Sequence, residues 1–321
     1  MLRIGHAHDA TARTGVTVLL PDAPLACAVD MRGGGPATRE TDAVGPDATL
    51  GIAHAVVLSG GSVFGLAAAD AVAAELSAAG TGLTLVAGTP PVPIVPAACL
   101  YDLNNGGAKD WGTAPPYAAL ARAALADARE DTASGSLGAG YGATAGAWRG
   151  GFGVASADHG GTTVTAYLAV NAIGSPLMPD GRTLWAWPFE RDGEFGGRRP
   201  GADMPPVPTL PPDIKGGITT ATCIGVIAVS TPQTRMGLRR IAVMAQDGLA
   251  RYLRPSHAPF DGDTLFALAP QGRATDDPHD TMALGSLAAD CVARAVGLAV
   301  WHAEEGFAPT VRASIRAAPR L

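Results

Sequence analysis

Lysine is nearly absent from this 321-residue chain: Lys109 and Lys215 are the only two, and the remaining basic residues are arginine. Few amines are therefore on hand for catalysis. Cysteine is scarce as well. Cys27, Cys99, Cys223 and Cys291 form no C-x-x-C pair, which argues against a zinc site or a dithiol redox motif. No block of like charges occurs and the net charge is −6, so a nucleic-acid surface is not expected. No window approaches ~18 uninterrupted apolar residues, so no membrane span is expected. The opening "MLRIGHAHDA" lacks the apolar core of a secretory signal. No lysine follows the glycines of "LSGGSVFGL" (58–66) as in a Walker motif, and no GxSxG elbow occurs. A reducing, cytoplasmic setting with no cofactor, nucleic acid or membrane partner is the simplest expectation.

What is present suits a large folded core: 47% of residues are hydrophobic and 16% charged. "TGVTVLL" (14–20), "GGFGVAS" with "TTVTAYLAVNAIG" (162–174), "CIGVIAV" (223–229) and "DTLFALA" (263–269) read as strands. Segments 61–80, 117–130, 233–253 and 280–303 read as helices, the first stopping at Gly80. This mixture predicts α/β or α+β packing, with helices covering sheets. Six prolines between Pro200 and Pro212 mark an exposed approach that is neither helix nor central strand. It runs into "GGITTATCIGVIAVS" (216–230), where threonines and a cysteine stand at the mouth of a buried strand. Either this is a loop entering the core, or one of these residues is a nucleophile.

Other clusters carry two readings each. In "LSGGSVFGL" (58–66), residues Ser59, Gly60, Gly61 and Ser62 open a helix, where free N–H groups can hold an anion or merely shape a tight turn. Asp261 and Asp263 flank a glycine before an apolar strand. They form a same-face carboxylate pair that needs an amine or a shared proton, or else an Asx-turn. Asn171 ends a strand as a structural bridge or an oxyanion donor. His6 and His8 in "GHAHD", and the carboxylates around His279 in "DDPHD", lack metal-ligand spacing and read as polar turns.

Nine stretches, in order along the chain, carry a family resemblance. They are "GVTVLL", "MRGGGPATRETD", "AHAVVLSGGSVFGLAAADAV", "PVPIVPAACLYDLNNG", "GAGYGATAG", "VNAIGS", "DGRTLWAWPFERDGEFGG", "IGVIAV" and "HAPFDGDTLFALA". Together they resemble the P1-type self-processing N-terminal-nucleophile hydrolases (the peptidase S58 group), most of all the nylon-oligomer (6-aminohexanoate oligomer) hydrolase branch. The resemblance implies one hydrolase domain over 1–321, a layered αββα sandwich, and a single self-cleavage between Ala221 and Thr222. That cut gives 221-residue and 100-residue fragments, 1–221 and 222–321. It selects Thr222 over Cys223 or Thr220 as the nucleophile. Asn171 then fits an oxyanion donor, Asp261 and Asp263 the partners of the new amine, and Tyr101 a residue beside the site.

The chain departs from the family pattern at two positions. Ala221 stands where nylon-type relatives carry Asn, and Ala147 stands at the family's lysine position. Arg149, two residues on, is the nearest cation in sequence but a poor proton acceptor; slow maturation, accelerated by Ala147→Lys, follows as an expectation. The substrate implied is a small linear amide or ω-amino acid oligomer, and the assembly a homo-oligomer, a tetramer of processed heterodimers. Two alternatives stand beside it: an aminopeptidase, β-peptidyl aminopeptidase or D-amino-acid esterase/amidase, and an unprocessed homologue serving as a binding or scaffold protein.

Overall fold

A computed structural model describes residues 2–216, 221–274 and 277–317. In chain order the strands are β1 (Leu2–Asp9), β2 (Thr14–Pro21), β3 (Leu25–Met31), β4 (Ala37–Arg39), β5 (Ile52–Ala53), β6 (Val56–Ser59), β7 (Ala97–Cys99), β8 (Thr144–Ala145), β9 (Trp148–Arg149), β10 (Gly151–His159), β11 (Thr162–Val170), β12 (Ile224–Val229) and β13 (Thr264–Ala269). The helices are α1 (Ala67–Ala78), α2 (Tyr117–Ala126), α3 (Arg235–Ala245), α4 (Asp247–Tyr252), α5 (Pro278–Trp301) and α6 (Val311–Ala317).

Two sheets stack, one in the order β1-β2-β6-β7-β4 and the other in the order β10-β11-β12-β13-β3-β5. Side-chain alternation sorts the core into three seams. Along β2, Val16 and Val18 meet α1 and α2 together with Val57, Val72 and Tyr117, whereas Leu19 turns inward to the opposite sheet. Between the sheets lie Ile4, Leu58, Phe152, Ile224, Val226 and Phe266. Cys223, Ile227, Val229, Leu265 and Ala267 face α3, α4 and α5 on the far side. The result is the expected α/β/β/α layering.

Several expectations need correcting. "GHAHD" is no turn: it lies in β1, paired residue for residue with β2. His6 is half-buried between the hydroxyls of Thr17 (3.0 Å) and Thr132 (2.7 Å), and His8 stacks on Tyr141. The 233–253 helix is two helices. Fully buried Gln246 donates to the Asp30 carbonyl at 2.8 Å where α3 ends, and Gly248 lets α4 lie against α5, where a Cβ would come within 2.3 Å of the Ala289 carbonyl. The 61–80 helix begins as a 3₁₀ turn, Ser62–Leu66, before α1. Nor is the His279 segment a turn: His279 lies in the first turn of α5, its N–H capped by Asp277 at 2.8 Å; Asp276 lies outside the described residues. Only α5 among the described residues is long and apolar enough to cross a membrane, and it is mostly buried as the core helix of this sandwich.

Candidate active site

Three neighbouring strand ends build the site. β11 and β12 pair antiparallel with Ala169 opposite Ile224, so continuing the register sets Asn171 beside Thr222. The Thr222 N–H indeed donates to the Asn171 carbonyl at 2.6 Å. β12 and β13 run parallel, and the register extends as a bridge between Ala221 and Asp261. Since Ile224 and Val226 face the opposite sheet, alternation turns Thr222 the same way, into the seam between the sheets. Thr222 is buried, as are Ala221, Cys223, Asn171, Asp261 and Asp263. Gly217 to Thr220 lie outside the described residues.

The Ala221–Thr222 peptide is held at close quarters. The Thr222 hydroxyl donates to the Ala221 carbonyl oxygen. The Gly262 N–H points at both oxygens, 3.1 Å from Thr222 Oγ1 and 3.1 Å from the Ala221 carbonyl. The Ala221 N–H in turn donates to the Phe260 carbonyl at 3.2 Å. Gly262 has to be glycine for this: a Cβ there would come within 2.7 Å of the Gly35 carbonyl and 2.9 Å of Thr222 Oγ1. The glycine run of "MRGGGPATRETD" backs the turn. Gly35 N–H donates to the Asp261 carbonyl at 2.8 Å, and a Cβ on Gly33 would lie 2.3 Å from that same oxygen.

The two carboxylates differ. Asp263 is saturated: its Oδ1 accepts the Cys223 N–H at 2.8 Å, and its Oδ2 the His257 N–H at 3.2 Å and ring Nδ1 at 2.8 Å. Burial alone would lower the His257 pKa, but its bond to Asp263 and the charge behind it raise it. His257 also takes a left-handed backbone, φ 54°, a conformation uncommon for a non-glycine residue. Among the described residues Asp261 accepts only the Ala258 N–H at 2.7 Å, through Oδ2, and its buried Oδ1 has no partner. Burial and the charge of Asp263 push the Asp261 carboxyl up to about 6. A carboxylate so placed is ready for a cation, since an amine next to it would lower its energy. Both aspartates sit in the turn leading into β13 rather than in the strand itself.

Asn171 is fixed on both sides of its amide. Oδ1 accepts the Thr144 N–H at 3.1 Å and the Lys215 ammonium at 2.8 Å, and Nδ2 donates to the Tyr101 carbonyl at 2.8 Å. Among the described residues Nδ2 has this one partner. Tyr101 thus meets the site through its main chain. Of the glycine-rich turn, Ser59 donates to the Gly60 carbonyl, and the Gly60, Gly61 and Ser62 N–H groups donate to Gly15, Asp102 and Leu100. These N–H groups are occupied, so the turn shapes the neighbourhood through Asp102, which lines the same 360 Å³ cavity as Asn171.

Sequence reading missed Lys215, Gly262 and His257. Lys215 was one of two lysines in the whole chain, and that scarcity was the signal available. Burial brings its ammonium down to about 8, against the pull of the Cys223, Asp261 and Asp102 groups nearby. Ala147 and Lys215 line the same cavity, and the Ala147 N–H donates to the Asp213 carbonyl at 2.8 Å, two residues before the lysine. Arg149 turns elsewhere: it donates to Ser136 Oγ at 2.9 Å and the Glu304 carbonyl at 3.2 Å, and stacks on Phe307. Burial drives the Cys223 thiol far up, helped by Asp263 and Asp261, so it stays neutral and inert as a nucleophile.

The profile of "Peptidase family S58" matches residues 2–311. An "Uncharacterized aminopeptidase" of Mycobacterium tuberculosis is 40% identical over 94% of this chain and 92% of its own length. A "6-aminohexanoate-oligomer endohydrolase" of Kocuria sp. is 30% identical over 83% of this chain and 72% of its own. Among solved structures, a Burkholderia sp. beta-aminopeptidase aligns with a TM-score of 0.71 at 22% identity, covering 98% of this chain and 91% of that one. The L-aminopeptidase D-Ala-esterase/amidase of Ochrobactrum anthropi, described as a variant of the Ntn hydrolase fold, aligns at 0.68 with 21% identity over 98% and 91%. These two likenesses bear on the fold.

Proposed function

Because this chain belongs to peptidase family S58 and so is an amide-bond hydrolase, we propose that it cuts itself before Thr222 and then uses the new N-terminal threonine against external amides. One observation carries the reading: the Thr222 hydroxyl lies against the carbonyl of its own preceding residue, and the Gly262 N–H reaches both. In the first cut, Oγ1 bonds to the Ala221 carbonyl carbon and the C–N bond breaks. The nitrogen takes up a proton as the Thr222 amine, and water then hydrolyses the ester. The Gly262 N–H stands where the oxyanion develops, and a preorganised donor there acts in a water-poor site. The freed α-amine, with an ordinary pKa of about 7.7–8.0, then serves as the local base for the same hydroxyl. Asp261, with one oxygen unpartnered, is placed to balance that amine's charge.

The substrates proposed are linear amides of aliphatic amino acids, with 6-aminohexanoate oligomers favoured by the Asp261/Asp263 pair. The 40% identity to mycobacterial proteins named as aminopeptidases favours a second reading, removal of small N-terminal residues. A tetramer of processed heterodimers in a reducing, cytoplasmic setting completes the proposal. The test is a panel of 6-aminohexanoate oligomers and small aminoacyl anilides, run with the parent and with Thr222→Ala. Hydrolysis of either class by the parent alone supports the nucleophile, and the preferred class decides between the readings. Equal hydrolysis by Thr222→Ala would overturn it, and an uncut chain inert to both classes would favour a binding or scaffold role.

A further inference from the structure

Resting on the Thr222 reading, we propose that Lys215 is the positioning residue of self-cleavage: its ammonium locks the Asn171 amide and supplies the positive charge the site needs before the α-amine exists. The precursor has an evident gap. Two aspartates are buried beside the scissile peptide, one of them with an oxygen that has no partner among the described residues, and the amine that will balance them is still tied up in a peptide bond. Lys215 is the one lysine that reaches this place. The other, Lys109, is held by the Ala12 carbonyl and by Asn105 Oδ1 at 3.2 Å.

Lys215 is fixed at both ends. Its N–H donates to the Ile173 carbonyl at 3.0 Å, which pins the approach segment alongside the residues that follow β11. Its ammonium donates to Asn171 Oδ1 at 2.8 Å. Two donors on Oδ1, this one and the Thr144 N–H, force the amide to present Nδ2 on its other side. The same residue's carbonyl receives the Thr222 N–H. Lys215 therefore acts through Asn171 on the orientation of the nucleophile's own peptide.

The charges that act on it are those of Asp261 and Asp102, with the Cys223 thiol, while Asp261 also feels Asp263 and His257. Removing the ammonium takes away a charge that favours ionised Asp261, so Asp261 then titrates higher. Ala147 opens on the same cavity, so an amine can be returned from a second position without touching the approach segment.

The test follows the cut in full-length chains made by pulse-labelled cell-free synthesis, comparing the parent, Lys215→Met, Lys215→Arg, Lys215→Gln and Lys215→Met/Ala147→Lys. Loss of one preorganised donor typically slows such chemistry by about 10²–10³-fold, and Lys215→Met is expected to slow the cut on the order of 10²-fold. Lys215→Arg keeps the charge and donors on a larger, planar head and is expected to lose less rate than Lys215→Met. The double variant is expected to recover at least about tenfold of the loss, and the acidic limb of the rate profile moves to higher pH in Lys215→Met. Parental rates in Lys215→Met, or no recovery and no shifted limb in folded variants, would overturn the proposal. Should Lys215→Met fail to fold, Lys215→Gln retains a donor without the charge, and a parental rate there likewise overturns it. If the parent itself is not cut before Thr222, the Thr222 reading fails; if the parent is cut there and Lys215→Met is cut as fast, the role of Lys215 fails alone.

Discussion

Replacing Asp261 by Asn should make the precursor more stable and the cut slower. Asp261 is 2% exposed and, among the described residues, accepts one hydrogen bond and leaves Oδ1 unpartnered. Its carboxyl is pushed up to about 6 by burial and by Asp263, against roughly 3.9 for a free aspartate. At about 1.36 kcal/mol per unit, ionising it in the fold opposes stability by up to roughly 3 kcal/mol. The sign follows from linkage: a raised folded pKa favours the native state fully below the unfolded value, and that advantage is lost as pH rises through the folded value. The amide has no such proton to lose and can keep the bond from Ala258. On a Thr222→Ala background, which removes the cut itself, urea unfolding should show Asp261→Asn gaining about 1–3 kcal/mol at pH 7.5 and little at pH 4. With Thr222 intact, the same substitution should slow cleavage and turnover together. A stability change independent of pH, or a loss at pH 7.5 with cleavage unimpaired, would refute the idea that Asp261 is kept ionisable for the amine rather than for the turn.

Other outcomes follow from the same geometry. Gly262→Ala forces a Cβ to within 2.9 Å of Thr222 Oγ1 and 2.7 Å of the Gly35 carbonyl, so the cut should slow by at least about 10²-fold as the oxyanion donor moves, measured by fragment formation over time. Asp263→Ala orphans the buried Cys223 N–H, typically costing about 1–3 kcal/mol, and frees the half-buried His257, so it should lower the melting temperature, unlike Asp261→Asn. Ala147→Lys in the parent, which the sequence alone leads one to expect to speed maturation, should instead change the cut little, since Lys215 already occupies that neighbourhood; a large acceleration would show that it does not serve there.

Much of this was legible in the chain because the relevant signals were local. β-Branched runs marked β2, β11 and β12, and apolar runs with Gly80 and the Ala-rich stretches marked α1, α2 and α5. The order of Thr222, Asn171, Asp261 and Asp263 was carried by motifs, and the strand registers do bring those residues together. What escaped depends on partners far away in sequence. "GHAHD" became strand through pairing with β2, and the break after α3 reflects Gln246 reaching Asp30 across more than two hundred residues. A backbone donor such as Gly262 N–H leaves no mark beyond a glycine. Lys215 was hidden by its surroundings: the Pro-rich approach is mostly exposed as far as Leu210, but Pro211 is buried and Asp213 to Lys215 are half-buried. The glycine turn at 59–62 matched a motif, yet its N–H groups were already taken, which only the coordinates of Gly15, Asp102 and Leu100 reveal.

N-terminal sequencing of the purified protein, with intact masses of its chains, tests the central claim most directly. The account predicts two chains, of 221 and 100 residues, the smaller beginning Thr-Cys-Ile-Gly. A single uncut chain that stays intact on prolonged incubation, or a small chain beginning at Cys223 or Ser230, would contradict it.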